Sequence, residues 1–202
     1  MTVTSQLDPT AWWRRIGFVG DRLALCGDLP SRTLTPALEQ LAEWQAAGIT
    51  DILDVREEWS DADLVADHAP EVTYHWLGTN DDGRGQAAEW YAQGVAIARR
   101  VLAHPDRRLL VHCHMGVNRG PSMAYAILLG LGEDHIAAME QIRAARPIAA
   151  TIYAPDALQW WHDEIEASPH ARAADHDQLI QWMRDHPVET WWIISRIRQA
   201  EG

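Results

Sequence analysis

Cys113 and Arg119 enclose the five residues His114-Met115-Gly116-Val117-Asn118. A thiolate is a strong nucleophile, and a guanidinium is a planar fork that binds two oxygens of one phosphate. If the enclosed residues form a loop running into a helix, their backbone N–H groups converge near the positive end of the helix dipole. A nest of that kind holds a tetrahedral oxyanion and stabilises a thiolate in the same place. Gly116 suits it, because a glycine turns tightly and lets backbone approach the anion. The pattern points to nucleophilic attack on a phosphoryl group.

The flanking sequence supplies the elements that such a loop needs. Leu109, Leu110 and Val111 form a short apolar run, which suits a strand buried on both faces. Ala124, Ile127, Leu128 and Leu131 follow at helical spacing, behind Pro121 at an early helical position where proline is tolerated. Upstream, the pattern predicts a hairpin with strands near 16–19 and 23–26, broken at Gly20-Asp21. Thr35-Pro36 opens a helix that Gly48 stops, and strands follow over 49–55 and 72–77. Helices are predicted over 86–104, 133–145 and 154–166, the last with Leu158, Trp161 and Ile165 inward. Residues 1–11 read as a loose polar start. Asp54, Arg56, Glu57 and Glu58 close the strand at 49–55 and enter a loop, where ion pairing is their expected role and a catalytic role at the carboxyl edge of the sheet is the alternative. The fold class is α/β: a central mixed sheet of about four to five strands flanked by helices, with the phosphate loop between a buried strand and a helix.

In this setting the motif resembles that of the cysteine-dependent protein tyrosine phosphatase superfamily, nearest its small dual-specificity branch. Val111-His112-Cys113, Gly116 and Arg119 carry the resemblance. It covers residues 14–166 and leaves an N-terminal segment, 1–13, and a helical extension, 167–202, outside. It implies phosphomonoester hydrolysis through a phosphocysteine, without a cofactor. Cys113 and Arg119 would be catalytic, and Cys113, His114, Met115, Gly116, Val117, Asn118 and Arg119 would bind the phosphate. The family also places its general acid on an Asp upstream of the cysteine, on a loop between a strand and a helix. Asp81 and Asp82, in the Gly-, Asn- and Asp-rich run at 78–85, both fit that place. Asp81 is favoured because Asn80 precedes it, as a polar residue often does in the family; Asp82 is the alternative acid. His112 is expected to orient the loop and tune the thiolate through hydrogen bonds, with a satisfied buried histidine as its other role and both roles compatible. The family commonly has Ser or Thr directly after the arginine, whose hydroxyl helps the thiolate leave. Gly120 stands there instead, so the second chemical step is expected to be slow unless Ser122 reaches the site; the commoner role of Ser122 would be to cap exposed N–H groups.

The composition is that of a soluble globular domain: 202 residues, 47% hydrophobic, with a formal net charge of −12. That acidity disfavours nucleic acid and anionic membranes as partners. Cys26 and Cys113 make no disulfide framework and fit a reducing compartment. With no signal-peptide pattern and no apolar run long enough to span a bilayer, a cytoplasmic location is the expectation. Cys26 is expected to pack in the core, with a resolving-thiol role as its alternative. His112 and His114 flank Cys113 in a row, and no further ligand set is apparent, so no metal site is expected.

The variable loop residues include no Lys or Arg, which disfavours highly charged inositol phosphates as substrates. The run Gly116 to Arg119 is similar to that of RNA 5′-triphosphatase relatives, yet those generally lack the Asp acid and present a basic surface. A phosphorylated protein is the leading substrate, and a small phosphoester is the next. A phosphate-binding pseudophosphatase is the alternative from another class, with Gly120 its support. Sulfurtransferase or arsenate-reductase chemistry is weakened by the five-residue gap, the arginine and the upstream Asp loop. In the extension, short helices are expected near 178–184 and 188–199. Trp182, Trp191 and Trp192 mark it as packing on something, by preference its own domain, with pocket cover or a dimer as the other readings.

Overall fold

The computed structural model describes residues 8–201. Strands β1 (Gly17–Val19), β2 (Leu23–Cys26), β3 (Asp51–Arg56), β4 (Thr73–Thr79) and β5 (Leu109–His112) form one sheet in the order β1-β2-β5-β3-β4. β1 and β2 are an antiparallel hairpin, turned at Gly20 with φ 64°. All other pairings are parallel. Parallel neighbours need crossovers, which helices α2 (Leu34–Ala46), α3 (Ala62–His68) and α4 (Ala88–Leu102) supply in turn. After β5 come α5 (Arg119–Gly130), α6 (His135–Ala145), α7 (Ala154–Glu164), α8 (Pro169–Asp185) and α9 (Thr190–Glu201), and a single turn, α1 (Pro9–Trp12), precedes the sheet. The protein is therefore the expected α/β fold with a mixed five-stranded sheet.

Strand alternation divides the core between the two faces of the sheet. Leu23, Leu25, Leu53, Val55, Leu109 and Val111 pack with residues of α4 to α8. Ala24, Cys26, Ile52 and Leu110 face α2 and α3. β5 is buried along its whole length, and every residue of α5 after it is buried too. The most apolar strand and helix thus sit at the centre, and the loop at the carboxyl end of β5 opens at the sheet edge where α/β folds place ligands.

Several details depart from the sequence pattern. α2 begins at Leu34 with Thr33 as N-cap, ahead of Thr35-Pro36. Within the supposed loose start, Pro9–Trp12 is one helical turn, and Asp8 accepts a hydrogen bond from the Thr10 N–H; residues 1–7 of that expectation lie outside the described residues. α3 occupies a stretch with no helical signal, since it is seven residues long and buries only Val65. In α7 the fully inward aromatic is Trp160, stacked near Tyr91, whereas Trp161 is half-buried and Ile165, at the C-cap, is 51% exposed. α8 is longer than expected because Ser168 caps it at Pro169, ahead of a largely polar first half that lacks a core-facing stripe.

The extension packs on the domain. Leu179 and Trp182 of α8 join the main core. Ile193 and Ile197 of α9 pack with Trp13, Ile148, Ala150 and two residues of the loop after β5, Met115 and Val117. Burying each isoleucine stabilises this docking by about 2 kcal/mol.

Candidate active site

In the loop after β5 the carbonyl groups of residues 114–118 all find partners. His114 O accepts from the Asp28 N–H at 2.9 Å, Val117 O from the Ala150 N–H at 2.7 Å, and Asn118 O from the Ser122 N–H at 2.9 Å. Met115 O accepts from Arg146 Nη2 at 3.0 Å, and Gly116 O from Arg146 Nε. Because the N–H and C=O of a peptide point in opposite directions, this leaves the N–H groups turned inward. Among the described residues no protein acceptor takes a hydrogen bond from the N–H groups of residues 114–118. Cys113, 2% exposed, lies at the start of this nest. Gly116 adopts φ 61°, and a Cβ there would lie 2.4 Å from both Arg146 Nη2 and Cys26 O. Arg146 is fully buried and also reaches Arg15 O at 3.0 Å and Trp13 O at 2.7 Å. Burial without a carboxylate partner pushes its pKa down.

Arg119 opens α5 and is 2% exposed. Its Nη1 donates to Glu58 Oε2 at 2.8 Å and Thr79 O at 2.9 Å, and its Nη2 donates to Glu58 Oε1 at 2.7 Å. A guanidinium has five N–H donors. The Nε–H and one Nη2–H, adjacent on one edge, therefore make no hydrogen bond among the described residues; Nε is buried and lies 3.4 Å from Asp81 Oδ2. Burial opposes the charge of Arg119, but Glu58, the Cys113 sulfur and Asp81 outweigh it and raise its pKa. Burial likewise works against the charge of Glu58, and the hydrogen bonds from Arg119 win and hold its carboxyl below the usual range.

Asp81 and Asp82 are placed differently. Asp81 Oδ1 accepts from Asn118 Nδ2 at 2.6 Å and from the Tyr153 hydroxyl at 2.9 Å, which brings it onto the rim of the nest. Asp82 accepts from the Arg84 N–H at 2.9 Å and pairs with the Arg84 guanidinium at 3.5 Å. Asn118 is itself fixed, since its Oδ1 accepts from the Ile152 N–H at 2.7 Å and lies 3.5 Å from Ser122 Oγ. Ser122 thus supports Asn118, and its Oγ also accepts from the Tyr153 N–H at 3.3 Å. A Cβ at Gly120 would lie 3.3 Å from Cys113 N, so a side chain here would stand directly against the cysteine.

His112 is buried beneath the loop, and burial opposes its charged form more strongly than the Cys113 backbone beside its ring favours it. Neither ring nitrogen has a hydrogen-bond partner among the described residues, and the nearest carboxylate, Asp54, is 3.9 Å from Nε2. The reason is its face of the strand: His112 alternates with Val111 and Cys113, so it points under the sheet beside Trp44. Burial lowers its pKa. Cys26 is buried, its thiol donates to Arg14 O at 2.8 Å, and burial pushes it up to about 11. The two histidines do have carboxylates around them, contrary to the sequence reading. Asp28, His114 and Glu201 bring ligand atoms together, as do Asp54, Asp61 and His112. The second group already holds a cation, because Arg56 pairs with both Asp54 and Asp61.

A cleft of about 900 Å³ contains Cys113, Arg119, Asp81, Asp82 and Glu58. Sequence reasoning missed Tyr153, which carries no local signal, and the pairing of Glu58 with Arg119, whose only signal was a charge at a strand end.

No family model matches the chain. Solved structures with this fold include PTPMT1, 21% identical, with TM-score 0.56 over 79% of this chain and 99% of that one. Human DUSP28 is 20% identical, with TM-score 0.60 over 76% and 100%. A human tyrosine phosphatase-like serine/threonine/tyrosine-interacting protein is 16% identical, with TM-score 0.57 over 77% and 99%. The chain thus has the fold of the cysteine-based dual-specificity and protein tyrosine phosphatases. About a fifth of it has no counterpart in these neighbours, which are matched almost whole.

Proposed function

We propose that the chain hydrolyses phosphomonoesters through a phosphocysteine, as a protein phosphatase of the tyrosine or dual-specificity kind. The observation that carries this reading is the inward ring of unpartnered loop N–H groups beside Cys113, completed by the free edge of Arg119. Buried donors without acceptors are costly, by about 1–3 kcal/mol each, and a phosphate supplies the acceptors. Glu58 and Thr79 fix one edge of the guanidinium, so the other is preset for two phosphate oxygens.

In the first step the Cys113 thiolate attacks phosphorus while the bond to the ester oxygen breaks, and protonated Asp81 gives its proton to that oxygen. In the second, water attacks phosphorus, the P–S bond breaks, Asp81 takes the proton and Cys113 leaves as thiolate. Asn118 and Tyr153 hold Asp81 in position for both. The absence of a hydroxyl at Gly120 favours a slow second step, which is the opening for the binding-module reading.

One neighbour in fold, PTPMT1, has been solved in complex with PI(5)P. A multiply charged head group needs several cations, whereas the arginines lining this cleft are Arg119 and Arg198, among Glu58, Asp81, Asp82 and Glu189. This favours a singly phosphorylated group such as a protein side chain. Hydrolysis of p-nitrophenyl phosphate tests the reading: Cys113→Ser abolishes turnover, and Asp81→Asn lowers kcat about a hundred-fold, far more than Asp82→Asn. Turnover that survives in Cys113→Ser would sink it, and a larger loss in Asp82→Asn would reassign the acid.

A further inference from the structure

The extension builds part of the cleft. α9 buries Ile193 and Ile197 against the phosphate loop and turns a neighbouring stripe, Trp191, Ile194 and Arg198, into the cleft. The spacing i, i+3, i+7 puts these three on one helical face. Trp192 lines it too, and Ile152 faces it from the domain. Trp191 is 83% exposed, a large apolar surface left in water beside a catalytic cysteine. The helix is pinned at its far end, where His114 Nε2 lies 2.8 Å from Glu201 Oε1. Arg198 makes no hydrogen bond or ion pair among the described residues.

We propose that α9 is the specificity wall of this cleft: it selects phosphomonoesters whose alcohol is aromatic or otherwise apolar next to the phosphate and which carry a second anionic group, taken by Arg198. The inference rests on the phosphatase reading above. With phosphorus at Cys113, the alcohol extends past Asp81 into the space that the tryptophans border, and indole rings offer large flat faces for an apolar group. Trp191 and Arg198 are two helical turns apart, about 10 Å, which sets the reach between the apolar contact and the second charge. The carboxylates elsewhere on the lining repel a second anion, so Arg198 is its station. A net charge of −12 argues against an anionic bilayer as the occupant.

The test uses the full chain with β-glycerophosphate, p-nitrophenyl phosphate, 1-naphthyl phosphate and a carboxylated naphthyl phosphate, in wild type, Trp191→Ala, Trp192→Ala and Arg198→Ala. Equilibrium binding of the same esters to Cys113→Ser, alone and with each wall substitution, is followed alongside by tryptophan fluorescence. The two tryptophan variants lower the ratio of kcat/KM for 1-naphthyl over p-nitrophenyl phosphate about ten-fold. Arg198→Ala lowers the preference for the carboxylated ester about five-fold, less in high salt. Ratios unmoved in both turnover and binding overturn the wall. So does Trp191-dependent binding to vesicles of phosphatidic acid and phosphatidylcholine, or a Trp191-dependent dimer in sedimentation. Wild type that hydrolyses none of the esters defeats the phosphatase reading instead; the wall then stands or falls on whether ester binding to Cys113→Ser depends on Trp191 and Arg198.

Discussion

Arg146 stands behind the loop of residues 113–119 and Arg119 at its front, and both are almost wholly buried. Arg146 spends its donors on four backbone carbonyls, those of Trp13, Arg15, Met115 and Gly116. Arg119 donates to one carbonyl, that of Thr79, but otherwise meets carboxylates that reach solvent, Glu58 and Asp81, and on the edge facing Asp81 two donors make no hydrogen bond among the described residues. The same side chain is thus a strut on one side of the loop and a candidate ligand site on the other. What separates the two is the balance of partners: carbonyls alone for Arg146, and mainly carboxylates with an open edge for Arg119.

Substituting each arginine is the most forceful way to break that contrast. Arg146→Met strands buried carbonyls and is expected to destabilise by about 3–5 kcal/mol, lowering the melting temperature by roughly 10 °C. Arg119→Met is expected to cost much less in melting temperature while kcat falls about a thousand-fold. Thermal unfolding and p-nitrophenyl phosphate turnover, measured on both variants, would merge the two roles if the losses came out alike.

The back of the loop also has its own pH response. Burial lowers the pKa of His112, so the unfolded chain binds that proton more readily and stability is lost as pH falls below about 6.5. Burial raises Asp28 to about 8 despite Arg56 and Arg14, so the folded chain binds that proton more readily and stability is lost as pH rises from the ordinary carboxylate range towards 8. Below pH 6.5 the two slopes oppose each other; above it only that of Asp28 remains. Denaturant unfolding is therefore expected to show a decline of about 2 kcal/mol between pH 6.5 and 8 that disappears in Asp28→Asn. A decline that persists in that variant would move its source away from the back of the loop.

The front is sharpened by a smaller change. Tyr153→Phe removes one of the two hydrogen bonds to Asp81 Oδ1 and leaves that from Asn118. Turnover is expected to drop about five-fold with a stability change under about 1 kcal/mol. Loss of stability without loss of turnover would make Tyr153 another strut.

What could be read from the sequence was what the chain keeps contiguous. Strand, cysteine, glycine, arginine and helix follow one another between Leu109 and Gly130, so local pattern was enough to infer both the fold and the loop. The separate placements of Asp81 and Asp82 depend on Asn118, Tyr153 and Arg84, of which only Arg84 is a near neighbour in the chain. Glu58 showed as a charge at a strand end, but its partner is 61 positions away. His112 adjoins Cys113 in the chain, but strand alternation sends its ring to the other face of the sheet, beside Trp44, a placement that its own position could not give. The tryptophans of the extension announced packing, and the place where they pack depends on Met115 and Val117, whose side chains the motif left unassigned.

The account turns on Cys113 carrying the phosphoryl group. Rapid mixing with p-nitrophenyl phosphate, acid quenching and mass spectrometry of the digested protein would locate it. A phosphoryl group is expected on the Cys113 peptide within the first turnover, with a shorter lifetime in Gly120→Ser. Phosphate released with no phosphoryl group ever found on Cys113 would contradict it.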